Sequence, residues 1–356
     1  MMRIGILGGG QLARMMVHAG EPLDCQFVIY TPEVVESTRE LAEQVIGSYT
    51  DKSKINEFLD KVDVVTFENE NIPVDILEYI ASRKKTYPEA VILKQTQDRA
   101  LEKKLFVELG IPTNENYCVD TIDDLKNAAE KLGFPFVLKT RREGYDGKGQ
   151  TILRSDADVV AFDPAAVKNS IAEKFVVFDR EVSVIGVRNV EGDIKFYDLC
   201  ENKHEQGILI STKNKKDDPL QEQACNYLQR VMQHFNYVGV MAFEFFVKDG
   251  QLFANEIAPR VHNSGHWTIE GAVSSQFENH VRAVAEMPLG STESNGLSIM
   301  LNCIGSMPDK EKISKVANAH YHDYLKEPRA KRKLGHVTVT DCDDERNIDL
   351  GILQHD

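Results

Sequence analysis

The spacing of apolar residues changes several times along the chain, and each change predicts an element. "RIGIL" is a continuous apolar run that breaks at glycines and passes into "QLARMMVHAG", where apolar residues recur at helical spacing. This predicts a buried strand, a glycine turn and an amphipathic helix. "CQFVIYT" predicts a second strand, and "VDVVTFENENIP" a third that ends in acids. Strands alternating with helices imply a parallel sheet of Rossmann-like α/β type, with its working edge where the strands end. This first unit is expected to span residues 1–96.

The pattern then becomes shorter and mixed. "TQDRALEKKLFVELGIPT" predicts a helix with charge on one face and Leu101, Leu105, Phe106 and Leu109 on another, stopped by "GIPT". After it come "NYCVDT", the helical "IDDLKNAAEKLG", the strand "FPFVLKT", a glycine loop and the strand "QTILRS". Together these predict a small α+β unit over 97–176. From about residue 181 the strands are longer: "EVSVIGV", "IKFYDLC", "VMAFEFFVKDGQLFANEIAPR" and, near the end, "GHVTVTD". They predict an antiparallel sheet with helices on one face, filling 177–356.

A length of 356 residues fits two or three such units. The balance of 42 Lys and Arg against 56 Asp and Glu gives −14, which argues against a general nucleic-acid binder and leaves room for a local anion site. Six cysteines, none in a C-x-x-C pair or at zinc spacing, read as reduced thiols. The N-terminus is not patterned as a signal peptide and no apolar run reaches the length of a membrane span. A cytoplasmic protein with no membrane partner is expected.

The loop "KTRREGYDGKGQTIL" carries Gly144, Gly147 and Gly149 among lysines and arginines. It is not a Walker loop: Gln150 stands where that pattern needs lysine, and strand leads into strand rather than helix. "GGGQLA" at 8–13 fits G-x-G-x-x-[GA], but no acid follows the second strand at dinucleotide spacing; Glu33 alone is near. A glycine hairpin can instead close over nucleotide phosphates, its backbone N–H groups meeting the oxygens and Lys139 adding charge. The plainer reading of that loop by itself is a solvated basic turn. A second feature narrows the choice. Glu244 and Glu256 would lie on adjacent antiparallel strands joined by "KDGQ", with Arg260, His262, Asn263 and His266 following. Two carboxylates that close call for a cation, and hard oxygen ligands suit Mg²⁺.

With "GILGGGQLARM", "TFENENIP", "LKTRREGYDGKGQ", "EKFVVFDREVSVI", "NEIAPRVHNSGHWTIE" and "KEPRAKRKLGHVTV" on one chain, the sequence resembles the ATP-grasp superfamily. Within it, the sequence is most similar to the N5-carboxyaminoimidazole ribonucleotide synthetase family of purine biosynthesis. The resemblance covers nearly the whole chain. It implies an ATP-grasp fold and a ligase that uses ATP, Mg²⁺, bicarbonate and 5-aminoimidazole ribonucleotide, as a homodimer. For ATP it implies Arg99, Lys139, the lid residues Gly144, Tyr145, Asp146, Gly147, Lys148, Gly149 and Gln150, the adenine segment Glu173, Lys174, Phe175 and Val176, then Glu181, His204, Asn255 and Glu256. For Mg²⁺ it implies Glu244 and Glu256. For the ribonucleotide it implies Gln11, Glu70, Arg260, His262, Asn263, Ser264, Lys326, Arg329 and Arg332. Arg260, His262, His266 and Tyr145 are the implied catalytic set, with either histidine taking the proton of the amine. Another ATP-grasp ligase, such as a formate-dependent glycinamide ribonucleotide transformylase, is the alternative. The chain departs from the family pattern at Ala13, Glu143, Val261, Ala330 and Lys331, none of which removes an implied ligand group.

Overall fold

The computed structural model describes residues 1–142, 144 and 149–341. Three sheets organise it. The first is parallel, in the order β3-β2-β1-β4-β5, from β1 (Met2–Leu7), β2 (Cys25–Thr31), β3 (Glu43–Ile46), β4 (Val64–Phe67) and β5 (Lys85–Thr86). Helices cover both faces, so its central strands read as unbroken apolar runs; every residue of β4 is buried.

The second sheet is antiparallel with order β6-β9-β7-β8: β6 (Asn116–Val119), β7 (Phe136–Thr140), β8 (Gln150–Leu153) and β9 (Ser170–Lys174). Its helix Ile122–Leu132 begins in a capping box between Thr121 and Asp124 and buries Leu125, Ala128, Ala129 and Leu132. The third sheet is the largest: β10 (Arg180–Arg188), β11 (Ile194–Phe196), β12 (Leu199–Glu205), β13 (Ile208–Lys215), β14 (Gly239–Lys248), β15 (Gln251–Ala258), β16 (Ile299–Ile304), β17 (Ala319–Asp323) and β18 (Lys333–Val339). Its order is β15-β14-β10-β12-β13-β16-β18-β17, with β11 on β10.

The cores show which sheets pack together. Helix Gln11–Gly20 packs Met15, Met16 and Val17 into one continuous apolar cluster with Phe277, Val281 and Val284 of helix Gln276–Val284 and with Val240 of the large sheet. The parallel and large antiparallel sheets therefore share a core. The small sheet has its own, built from Leu125, Phe136, Leu138, Leu153 and Val167. Among the described residues no helix is long and apolar enough to cross a membrane, and the five described cysteines are free thiols.

One expectation fails here. The charged residues of helix Arg99–Glu108 do not all face water: Glu102 and Lys103 are each 2% exposed. They share the buried side with Leu105 and Phe106 because the helix lies against β15 of the large sheet and β9 of the small one.

Candidate active site

The junction forms around the β14–β15 hairpin. Its ladder runs regularly from Lys248↔Gln251 to Phe245↔Ala254, then shifts, so that Glu244 faces Glu256. In an unbroken ladder Glu244 would face Asn255. A bulge at Asn255 thus puts two glutamates on the same face and leaves the Asn255 carbonyl outside the ladder. Burial and then the Glu256 carboxylate push the Glu244 carboxyl up to about 7. The same two causes push Glu102 up to about 8, against a hydrogen bond that its Oε1 accepts from the Ile257 N–H at 2.7 Å. Carboxylates this crowded hold their charge with difficulty unless a cation joins them, which is the donor set that a hard divalent ion takes.

Cations crowd the same place. The Arg99 guanidinium donates to Glu256 Oε2 at 2.9 Å and to the Gly144 carbonyl at 3.3 Å. Asp98, at the N-cap of the same helix, binds Arg141 through both oxygens, at 2.9 and 2.7 Å, and so ties the root of the glycine loop to the helix. Lys103 donates to Thr113, Ala254 and Asn255 oxygens at 3.0, 3.0 and 2.9 Å, and lies 3.7 Å from Glu173. Lys139 on β7 reaches Glu173 on β9 at 3.1 Å. Burial alone would raise the Glu173 carboxyl, but Lys103, Lys139 and Arg99 bring it down to about 2. Next along the large sheet, His204 Nδ1 and Glu181 Oε2 are 2.7 Å apart. Burial lowers the His204 ring, yet Glu181 and Glu244 raise it above its ordinary value overall.

On the other side of the hairpin the chain runs from β15 into Arg260. Its guanidinium grips Glu70 through two hydrogen bonds, Nε to Oε2 and Nη2 to Oε1 at 2.8 Å, joining the large sheet to the end of β4. His262 follows, with Nε2 3.3 Å from Glu244 and Nδ1 2.9 Å from Ser264 Oγ. Burial and then Arg260 hold the His262 ring well below its usual value, so it is neutral. Asn263 pairs with Asn302, and buried Ser264 accepts from Ser183 at 2.8 Å. The loop from β17 to β18 carries Lys326, Arg329 and Arg332. Lys326 Nζ donates to Gln11 Oε1 of the glycine turn, and the Tyr324 carbonyl accepts from Ser37 Oγ at 2.6 Å. Lys331 holds φ +62°, the left-handed region that glycine takes without strain.

The structure thus gathers Arg99, Lys139, Gly144, Glu173, Glu181, His204, Glu244, Asn255, Glu256, Arg260, His262 and Glu70 at one junction, with Gln11 and Lys326 beside it. Lys174, Phe175 and Val176 form the link between β9 and β10. Gln150 is exposed on β8, and Gly149 has φ +72° with the place of a Cβ only 2.6 Å from Thr140 Oγ1. Tyr145, Asp146, Gly147 and Lys148 lie outside the described residues, as does Glu143.

His266 is the exception. It is 1% exposed, packed among Phe277, Tyr324 and His336, and burial holds it neutral. Two residues beyond Ser264, the chain has turned through a short 3-10 helix, Asn263–Gly265, that carries the ring into the core.

Sequence reasoning missed Asp98, Glu102, Lys103, Arg141 and Glu68. Glu102 stands three, four and seven residues before Leu105, Phe106 and Leu109. That spacing already places it on the apolar stripe rather than the wet face. A cavity lined by Arg3, Gln26, Glu43 and Lys61, at the opposite ends of the parallel strands, holds none of the site residues.

Known proteins are similar to this chain along nearly its whole length. The ribonucleotide synthetase preATP-grasp domain matches residues 1–97, the ATP-grasp domain 104–277, and the phosphoribosylaminoimidazole carboxylase C-terminal domain 298–349. The chain is 46% identical to the N5-carboxyaminoimidazole ribonucleotide synthase of Pseudomonas aeruginosa, across 99% of this chain and 98% of that protein. The crystal structure of the synthetase from Thermus thermophilus superposes with a TM-score of 0.90 at 43% identity, covering 94% of this chain and 93% of that one. The enzyme from Aspergillus clavatus, solved in complex with ADP and 5-aminoimidazole ribonucleotide, gives 0.87 at 31% identity, covering 95% and 93%. With this likeness extending from the parallel sheet to β18, the chain belongs to the N5-carboxyaminoimidazole ribonucleotide synthase family of ATP-grasp ligases.

Proposed function

We propose that this enzyme joins bicarbonate to the exocyclic amine of 5-aminoimidazole ribonucleotide at the expense of ATP, giving N5-carboxyaminoimidazole ribonucleotide, ADP and phosphate in purine biosynthesis. The observation that carries the reading is the facing Glu244–Glu256 pair, with Arg99 bonded to Glu256 and His262, from the segment that carries Arg260, beside Glu244. One carboxylate pair facing both an ATP side and an acceptor side is what a ligase needs. Residues 1–96, 97–176 and 177–356 are the working domains of this reading, the middle one bearing the lid, and a cytoplasmic homodimer belongs to it through the family resemblance.

Glu244 and Glu256 hold Mg²⁺ in this reading, and the ion neutralises phosphate charge when bound. Arg99 and Lys139 are the chain's own contribution to the phosphates, with Gly144 to Gln150 folding over them. Glu173 to Val176 line the adenine, and Glu181 and His204 face the ribose. A bicarbonate oxygen attacks the γ-phosphorus as the bond to the ADP oxygen breaks, giving carboxyphosphate. Arg260 holds that anion, its guanidinium already oriented by Glu70. The amine nitrogen then bonds to the carboxyl carbon as phosphate leaves, and the amine proton passes to neutral His262. The burial of His266 favours His262 for that proton. Gln11, Asn263, Ser264, Lys326, Arg329 and Arg332 hold the ribonucleotide.

The test is ADP release across a matrix of amines and acids, with heavy oxygen in the bicarbonate. Turnover is expected to require bicarbonate and 5-aminoimidazole ribonucleotide together, and the released phosphate to carry one labelled oxygen. Equal turnover with formate and glycinamide ribonucleotide would refute the substrate reading. Unlabelled phosphate would refute carboxyphosphate.

A further inference from the structure

Glu68 has no part in the reading above, yet the acceptor side is assembled around it. It follows β4 directly, its residue is 9% exposed, and both carboxylate oxygens are engaged. Oε1 accepts from the Gly10 N–H and Oε2 from the Ala13 N–H, at 3.0 Å. Those amides flank the first residues of helix Gln11–Gly20. A Cβ on Gly8 would stand 2.6 Å from Glu68 Cγ, and one on Gly10 2.8 Å from Oε1; Gly8 also has φ +98°. The glycines that imitate a dinucleotide fingerprint are therefore the space that a neighbouring carboxylate occupies. Gln11, between the two gripped amides, accepts from Lys326 through its side chain. Glu68 also attracts Lys326 and Arg260 electrostatically. One buried carboxylate thus sets the turn, the side chain on the turn, and the cations that converge on it.

We propose that Glu68 is a positioning residue for the ribonucleotide: by gripping the Gly10 and Ala13 amides it fixes Gln11 and, through Gln11, the Lys326 ammonium. The proposal rests on the reading of Gln11 and Lys326 as ribonucleotide ligands. It makes the acceptor side depend on a residue that touches no substrate, and it leaves the ATP side independent of it.

Glu68→Gln keeps the volume but turns an N–H₂ toward one of two N–H donors. The turn must then shift to relieve a donor facing a donor. The KM for 5-aminoimidazole ribonucleotide is expected to rise at least about tenfold, and that for ATP to change less than about twofold. Glu68→Asp keeps the charge but falls short of spanning both amides, and its KM should lie between. Equal changes in both KM values, or a loss of kcat with both KM values unchanged, would overturn the proposal. A second measurement needs no variant. In the wild-type enzyme, the Gly10 and Ala13 amide resonances should move on addition of 5-aminoimidazole ribonucleotide and stay in place on addition of ADP. The reverse response, or none to the ribonucleotide, overturns the proposal even if Glu68→Gln does not fold. Wild-type turnover indifferent to the ribonucleotide would bring down the underlying reading and this proposal with it. Ribonucleotide-dependent wild-type turnover with an unchanged Glu68→Gln KM would bring down this proposal alone.

Discussion

At the β7–β9 wall the clustered cations already have anions. Lys103 and Lys139 share buried Glu173, and Arg99 takes the half-exposed Glu256. At the loop between β17 and β18 the balance is reversed. Burial lowers the Lys326 ammonium, Glu68 works against it, and Arg332, Lys333 and Arg329 lower it further, to about 8. The first region is a set of paired charges in which an arriving phosphate must take cations from carboxylates. The second is a cluster of like charges around Lys326, on which Glu68 acts as a carboxylate. In the proposed reading, nucleotide binding on the first wall would be an exchange of partners, and acceptor binding on the second a relief of repulsion.

The comparison breaks most visibly if a buried pair is opened. Lys103→Met strips a cation from Glu173 and removes the ammonium that donates to the Asn255 carbonyl, while the Ala254 carbonyl keeps the Thr113 hydroxyl. Removing one partner of a buried pair costs about 3–5 kcal/mol, and urea unfolding should show a loss of that size. A loss below about 1 kcal/mol would mean that Lys139 alone satisfies Glu173.

Next in size is the carboxylate pair. Glu256→Ala or Glu244→Ala should lower turnover at least about 10²-fold in steady-state assays, because charge neutralisation at phosphate is a multi-kcal/mol effect. Near-normal turnover in either variant removes that residue from the cation site. Glu256→Ala also frees Arg99, so its effect on the KM for ATP should exceed that of Glu244→Ala.

The smallest effect sharpens the second half of the comparison. A phosphate bound at Lys326 favours the ammonium, so binding takes up a proton when the pH is above about 8. Affinity for the ribonucleotide should then fall by up to about tenfold per pH unit above that point, and calorimetry in buffers of different ionisation enthalpy should report the proton. The sign for stability is opposite. Between about 8 and the ordinary lysine value of 10.5 the unfolded chain binds this proton and the folded chain does not, so this residue's contribution to stability rises with pH. Lys326→Met should flatten both slopes.

The two regions were unequally legible in the sequence. The loop cations Lys326, Arg329 and Arg332 lie within seven residues of one another, so their likeness to a phosphate site is local. The Glu173–Lys103–Lys139 cluster draws on residues from one helix and two strands that only folding brings together. The helical pattern sets charge on one face, and folding buries Lys103 instead. His266 lies four residues after His262, and a 3-10 turn sends its ring into the core.

By itself the sequence determined the order of elements and the two kinds of sheet, because the period of apolar residues changes with the faces that must be buried. It also determined that Glu244 and Glu256 belong to one hairpin, since the turn lies between them. Only the tertiary structure decided that they face each other. The hairpin spacing alone would have set Glu244 against Asn255; a bulge of one residue reverses that, and Lys103 on a distant helix donates to the Asn255 carbonyl that the bulge presents. A register is a choice between ladders of similar local energy, and long-range contacts make the choice.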